Sequence, residues 1–282
     1  YSIASNSLGV TYAGTNKGVY SSLDSGKTWS IFAFSGREIY SIVIGTSNSI
    51  YAWGYELYYT SNNGASWDSV NALGSGSGEF LKINSKDYLY RVKLISSSSG
   101  LIEVLYRSKN KGQTWTALAQ SNAFSTIYKL AVGSNDVLIM ATNKGLFRST
   151  DDGDTWTIIP GISTSLYHNI IAMPNNVFYA ESYNILYSND NGVSFKEIQT
   201  PDNIGMVSSL CVIPNEMMLI QTSSTKGTFL YCSADGGASW NNVTSGLWDF
   251  MREIFYTPNG NIYVLTGPII NPISYYGVIT KL

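Results

Sequence analysis

Short runs of alternating apolar and polar residues, separated by turn-forming residues, fill the chain. The clearest set predicts four strands at residues 128–132, 137–141, 145–149 and 155–159. Runs of this length with a period of two are typical of strands that bury one face, and they are too short for amphipathic helices. We therefore predict an all-β fold built from units of four strands.

An octet of the form Ser-x-Asp-x-Gly-x-Thr-Trp follows the third strand of this unit and occurs five more times. Its last residue, Trp or Phe, recurs about every 40 residues, which is typical of radially arranged or stacked units. An Asp in the third position can close a turn by accepting backbone N–H bonds, and the Gly can adopt a left-handed conformation. The third-position residues, which we predict to be structural, are Asp24, Asn62, Asn110, Asp151, Asp190 and Asp235.

The octet resembles the Asp-box, or BNR repeat, of sialidases, xyloglucanases, sortilin-type receptors and photosystem assembly propellers. The resemblance implies a β-propeller with each box on the turn between the third and fourth strands of a blade, opposite the binding face. We predict one seven-bladed domain over residues 1–282, with blades near 1–33, 38–71, 79–119, 125–160, 165–200, 206–245 and 249–282, the last incomplete. The alternative is six blades followed by an appendage.

Composition narrows the classes of partner. The formal net charge is −2 and only 13% of residues are charged, which argues against a nucleic-acid surface and a polybasic membrane surface. No apolar run is long enough for membrane insertion. Cys211 and Cys232 are predicted to lie on the first and third strands of one blade, too far apart for a disulfide. We expect a monomer that is extracellular or displayed at the cell surface.

The binding candidates are polar and aromatic residues in the loops that join strands two and three, and strand four to the next blade. These loops share one face of a propeller. They are Arg37, Glu38, Trp53, Tyr55, Glu56, Glu79, Tyr167, His168, Asp202, Trp248, Asp249, Arg252, Glu253 and Tyr275. Aromatic rings beside carboxylates suit sugars and peptides alike. Trp53 and Trp248 are expected to contact the ligand.

These residues favour a non-catalytic binding module for a glycan or a protein ligand. One alternative is a glycoside hydrolase that uses two of the carboxylates, and another is an assembly or scaffold propeller with a protein partner. His168 is the only histidine, no Gly-x-Ser-x-Gly elbow is present, and no cofactor or metal ion is expected.

None of the named subfamilies fits closely. Sialidases carry an Arg-Ile-Pro sequence, and none of the five arginines here precedes Ile-Pro. Photosystem assembly propellers display an arginine patch, for which five scattered arginines are too few. Xyloglucanases of this type use two propeller domains. We therefore assign no subfamily from the sequence.

Overall fold

A computed structural model describes residues 2–70, 80–97, 100–118, 126–162, 167, 169–201, 204–213, 217–225, 227–244, 250–256, 262–267 and 278–281. Within these residues the chain forms six antiparallel sheets of four strands and one of three. In every sheet, strands that are consecutive in the chain pair with each other. We call the four-stranded sheets blades one to six, in chain order.

Blade one contains β1 (Ser2–Ser5), β2 (Thr11–Thr15), β3 (Gly18–Ser22) and β4 (Ser30–Ala33). Blade two contains β5 (Ser41–Ile44), β6 (Ile50–Trp53), β7 (Leu57–Thr60) and β8 (Asp68–Val70). Blade three contains β9 (Leu81–Ile83), β10 (Leu89–Ser97), β11 (Gly100–Ser108) and β12 (Thr116–Ala117). Blade four contains β13 (Ile127–Val132), β14 (Leu138–Thr142), β15 (Gly145–Ser149) and β16 (Thr157–Ile158).

Blade five contains β17 (Asn169–Ala172), β18 (Phe178–Glu181), β19 (Ile185–Ser188) and β20 (Lys196–Ile198). Blade six contains β21 (Met206–Val212), β22 (Met218–Ser224), β23 (Gly227–Ser233) and β24 (Asn241–Asn242). The three-stranded sheet contains β25 (Phe250–Tyr256), β26 (Ile262–Gly267) and β27 (Val278–Lys281).

The core lies between neighbouring blades rather than within one layer. The first strand of each of blades one to four contacts the first strand of the next blade, and β21 contacts β25. Five clusters of buried apolar side chains fill the five seams from blade one to blade six. Sheets that bury both faces against neighbouring sheets in this way are the arrangement of a β-propeller.

The prediction of an all-β propeller is confirmed. In blade four, the predicted strands agree with the observed ones to within two residues at each end. The three-stranded sheet occupies the stretch predicted as an incomplete last blade. The count of seven blades stays a prediction.

The octets form the turns between the third and fourth strands, as expected. In the first octet, the Thr28 backbone N–H and hydroxyl donate to the two carboxylate oxygens of Asp24, at 2.9 and 2.6 Å. The Ser22 hydroxyl donates to Asp24 Oδ1 and accepts the Gly26 N–H. The same contacts recur in the octets of Asp151, Asp190 and Asp235. Each octet is thus a closed hydrogen-bonded turn.

The two octets with Asn keep this turn with one bond reversed. The Asn62 Oδ1 still accepts a backbone N–H, but its amide nitrogen donates to the Ser66 hydroxyl at 2.8 Å. The Asn110 amide donates to the Thr114 hydroxyl at 2.9 Å in the same way. The octet turn therefore also forms around the uncharged side chain of Asn.

The octet glycines also mediate packing between blades. Gly112 has a φ of 86°, and a Cβ there would collide with Leu57 of blade two. Gly153 has a φ of 92°, and a Cβ there would collide with Leu118 of blade three. The octet glycine is thus required by its left-handed conformation and by its close approach to the preceding blade. The ring of each final octet residue is half-buried, and the residue directly precedes the fourth strand of its blade.

A second repeated contact, which the sequence did not indicate, joins the turns between first and second strands. We call it the turn latch. In each latch, a hydroxyl group and a backbone N–H of one blade donate to the side chain of an Asn or Asp in the next blade, at 2.8–3.3 Å. The pairs are Ser7 with Asn48, Thr46 with Asp87, Ser85 with Asp136, and Ser134 with Asn176. Every acceptor has a φ between 57° and 63°, a conformation that Asn and Asp tolerate.

The octet carboxylates predict how stability depends on pH. The pKa values of Asp24 and Asp235 are lowered to about 2, chiefly by hydrogen bonds from the Thr28 and Ser239 hydroxyls and N–H groups. At Asp151 and Asp190 burial raises the pKa, but hydrogen bonds outweigh it and the pKa is again about 2. A carboxyl group whose pKa is lower in the folded state stabilises the fold at pH values above its unfolded pKa of about 4. This stabilisation is lost as the pH falls towards 2, the pKa in the folded state.

We expect the variant in which all four of these Asp residues become Asn to lose less stability on acidification than the wild type. Asn62 and Asn110 show that the turn survives the change. The measurement is the thermal unfolding midpoint by circular dichroism at pH 7 and pH 3. Equal decreases in wild type and variant would show that these carboxylates do not determine acid stability.

Candidate functional site

A cleft of about 230 Å³ opens at the seam between blades one and two, lined by Arg37, Glu38, Tyr55, Glu56 and Tyr58. Arg37 and Glu38 lie in the connection from β4 to β5, whereas Tyr55 and Glu56 form the turn between β6 and β7. These are the two kinds of loop in which the binding residues were expected. The structure thus brings four of the predicted residues together.

Close contact between the two loops builds the cleft. The Tyr40 N–H donates to the Trp53 carbonyl at 2.7 Å, which ties the start of blade two to the end of β6. A Cβ on Gly54 would collide with the Glu38 carbonyl oxygen. Only glycine at this position lets the β4–β5 connection lie directly against the β6–β7 turn. Gly54 therefore places Glu38 beside Tyr55.

One hydrogen-bonded network in the cleft is centred on Tyr58. The Arg37 Nη1 donates to the Tyr58 hydroxyl at 2.5 Å, and the Tyr58 ring stacks at 4.1 Å on Phe34. Burial raises the pKa of Tyr58, as does its hydrogen bond with Glu56, while Arg37 opposes both. The Glu56 Oε2 also accepts the Ser69 hydroxyl at 2.9 Å. Arg37 and Glu56 are thus held on either side of one buried phenol.

The other network is centred on Tyr40. Its hydroxyl donates to Glu38 Oε2 at 2.9 Å, and burial, followed by this bond, raises the pKa of Tyr40. The Tyr40 ring packs edge-on against the Tyr55 ring, with centroids 6.2 Å apart. The Tyr55 side chain is nevertheless 66% exposed. Tyr55 thus offers most of its surface to a ligand.

The sequence did not indicate Tyr40 or Tyr58 as site residues. Tyr40 lies directly before β5 and Tyr58 lies within β7, and aromatic residues at such positions normally pack in the core. Each is next to a strand end, so the Tyr58 hydroxyl lines the cleft and the Tyr40 hydroxyl reaches Glu38 at its edge. A signal was present in the spacing, because a tyrosine stands two residues after each glutamate: Tyr40 after Glu38 and Tyr58 after Glu56.

Two predicted binding residues are buried instead. Trp53 is the last residue of β6 and is 1% exposed, and the Arg91 guanidinium lies 3.3 Å from its ring centroid. Tyr167 is 3% exposed and packs in the seam between blades four and five. Neither ring is a surface platform. The expectation that Trp53 contacts a ligand does not agree with this burial.

Several other candidates fall on residues that the structure does not describe. Those outside the described residues are Glu79, His168, Asp202, Trp248, Asp249 and Tyr275. Arg252 and Glu253 lie in β25, but the positions of their side chains are also outside the description. Their participation in the site stays a prediction.

A second groove of about 430 Å³ runs along the outer side of the seam between blades two and three. It is lined by Tyr59, Asp68, Ser69, Val70, Lys111 and Gln113. The Lys111 Nζ lies 4.8 Å from the Tyr59 ring centroid. This groove borders the outer strand of blade two, whereas the cleft borders the loops of the predicted binding face.

The described residues contain neither a metal-binding cluster nor a membrane-spanning helix. No group of three His, Cys, Asp or Glu side chains there could hold a metal ion. None of the described helices is long and apolar enough to cross a membrane. Cys211 and Cys232 lie on the first and third strands of blade six and are both free, as predicted. Burial raises the pKa of the Cys211 thiol to about 12.

No family model matches the chain. The photosystem II assembly protein Ycf48 of Thermosynechococcus vestitus is 24% identical over 201 residues, which is 67% of this chain and 51% of that protein. The match thus spans about half the length of the curated relative. The expectation that five arginines are too few for a photosystem assembly propeller does not agree with this similarity. The expectation of a secreted or cell-surface protein is also wrong, because this relative is a photosystem II assembly protein.

Solved structures share the fold at low sequence identity. YCF48 bound to D1 peptide has a TM-score of 0.68 at 19% identity, covering 94% of this chain and 89% of that one. YCF48 from Cyanidioschyzon merolae has a TM-score of 0.72 at 15% identity, covering 100% and 94%. The GH74 xyloglucanase from Xanthomonas campestris has a TM-score of 0.73 at 14% identity, covering 94% and 50%. All three likenesses establish a propeller fold and nothing further.

Proposed function

We propose that the protein is a non-catalytic propeller that binds a segment of a partner polypeptide in the cleft between blades one and two, as an assembly or scaffold factor. The observation that carries the proposal is the convergence of Arg37, Glu38, Tyr55 and Glu56 from two loops into one cleft. Exposed tyrosine beside charged groups is typical of surfaces that bind polypeptides. The sequence similarity to a photosystem II assembly protein supports the same class of function.

A polypeptide ligand is preferred to a glycan for two reasons. The likeness to a xyloglucanase is one of fold, at 14% identity, and it lends no support to a sugar ligand. One solved structure with this fold is bound to a D1 peptide, at 19% identity and over 94% of this chain. The broader class of a propeller with a protein partner therefore replaces the glycan-binding module expected first.

The test is a selection of random twelve-residue peptides displayed on phage, with the purified chain as bait. We expect enriched peptides that bind the Tyr55→Ala variant about 5- to 10-fold more weakly than the wild type, as for an interface residue of more than average effect. The matched control is Tyr183→Ala. Tyr183 occupies the same turn of blade five and is similarly exposed, but Asn184 rather than a Glu follows it.

The result that would overturn the proposal is equally specific. Peptides that bind Tyr55→Ala as well as wild type would place the binding surface elsewhere. The wild-type chain is also incubated with polysaccharides. Release of reducing sugars by the wild type, and its loss in the Glu38→Gln or Glu56→Gln variant, would favour the hydrolase instead.

A further inference from the structure

We propose that the cleft recognises a basic side chain, Lys or Arg, of the bound segment, with Glu38 as its counter-ion and the Tyr55 ring as the aromatic surface that it contacts. This inference rests on the proposed function. It specifies the chemistry of the segment, which that proposal leaves open.

The first argument is the balance of charge. The cleft holds two carboxylates, Glu38 and Glu56, and one guanidinium, Arg37. Arg37 is directed to the Tyr58 hydroxyl, which Glu56 also approaches. Within the part of the chain that the structure describes, neither glutamate forms a salt bridge. The cleft thus carries an excess of negative charge that a cationic side chain would neutralise.

The second argument is the position of Glu38. Its Oε2 accepts the Tyr40 hydroxyl, which fixes the carboxylate beside the Tyr55 ring because Tyr40 packs on that ring. Glu38 itself is half-buried, so it is partly withdrawn from water and its attraction for a cation is less screened. An ammonium or guanidinium group that reached Glu38 would also contact the Tyr55 ring.

The third argument is that the chain places basic side chains against aromatic rings elsewhere. At the neighbouring seam, the Arg91 guanidinium lies 3.3 Å from the Trp53 ring centroid, and the Lys111 Nζ lies 4.8 Å from that of Tyr59. A cation above an aromatic ring is favourable, and an adjacent carboxylate adds to it. Tyr55 presents the same kind of ring without such a covering cation among the described residues.

Other side chains fit the cleft less well. An acidic side chain would meet two carboxylates before a single guanidinium, so repulsion would oppose its binding. An apolar side chain would remove water from Glu38 without supplying a hydrogen bond or a charge, which is unfavourable. A basic side chain satisfies the carboxylate and packs its methylene groups on the ring.

The experiment uses the peptides enriched by the wild-type chain. We expect them to share a Lys or Arg, and replacement of that residue by Gln to weaken binding to wild type about 5- to 10-fold by fluorescence anisotropy, given typical cation–π and partly exposed ion-pair strengths. In the Glu38→Gln variant the same replacement should change affinity less than about 2-fold, because the charge partner is gone. Glu197→Gln is the control. Glu197 is a glutamate of blade five that accepts a hydrogen bond from Asn184, which lies in the turn equivalent to that of Tyr55.

Failure of this inference can be told apart from failure of the proposed function. Peptides that depend on Tyr55 but lack a shared basic residue, or whose Lys-to-Gln loss is the same in Glu38→Gln as in wild type, would overturn the inference and leave peptide binding intact. Absence of any enrichment over an unrelated bait would overturn both.

Discussion

Trp53→Ala is expected to lower the free energy of unfolding by about 3–5 kcal/mol, the usual cost of truncating a buried aromatic residue. The Trp53 ring fills the seam between blades two and three, where it packs with Tyr51, Leu57 and Leu89. Its removal also exposes one face of the buried Arg91 guanidinium to a cavity. Burial lowers the pKa of Arg91 to about 10, so the guanidinium stays charged at neutral pH and the cavity would border a buried charge.

The measurement is urea unfolding followed by circular dichroism, which does not rely on the lost tryptophan. Trp53→Phe is the control, because it keeps an aromatic ring and removes an indole N–H that has no hydrogen-bond partner among the described residues. We expect Phe to cost much less than Ala. A Trp53→Ala variant as stable as wild type, but weaker in peptide binding, would show that Trp53 is a ligand-contacting residue after all.

Arg107→Met is expected to lower the free energy of unfolding by about 2–3 kcal/mol, because charged hydrogen bonds at a buried seam are lost. Arg107 projects from the third strand of blade three and its side chain is 6% exposed. Its Nη1 donates to the Asp152 carbonyl at 2.9 Å, and its Nη2 pairs with Asp154 at 2.9 Å. The guanidinium thus ties blade three to the octet of blade four.

The matched control is Arg148→Met, one blade further along. Arg148 occupies the equivalent position but makes a single bond to the Asn191 carbonyl at 2.8 Å and is less buried. We expect it to cost about 1 kcal/mol. The check is chemical unfolding of both variants under the same conditions. Equal losses would mean that the ion pair to Asp154 contributes nothing at this seam.

The fold could be predicted from the sequence because its turns are local. An Asp24-type octet closes its turn with bonds that span only two to four residues, so each copy is visible as a pattern. The turn latch was missed because its two halves, such as Thr46 and Asp87, are separated by a whole blade. A contact between blades depends on the register of neighbouring sheets, which a single repeat does not specify.

The site was predicted less completely, for a related reason. Arg37, Glu38, Tyr55 and Glu56 lie in loops whose face follows from strand order, so their convergence could be anticipated. Trp53 was misplaced because β6 extends one residue further than the loop boundary inferred from the sequence. With a period of two, that residue places its ring in the seam and not at the surface.

The turn latches all point the same way along the chain, since donors always precede acceptors by one blade. When the chain is synthesised from its N-terminus, each of blades one to four therefore emerges before the blade that carries its latch acceptor. A permuted chain that began at blade three would keep this polarity within its new order and separate only the Thr46–Asp87 pair in sequence.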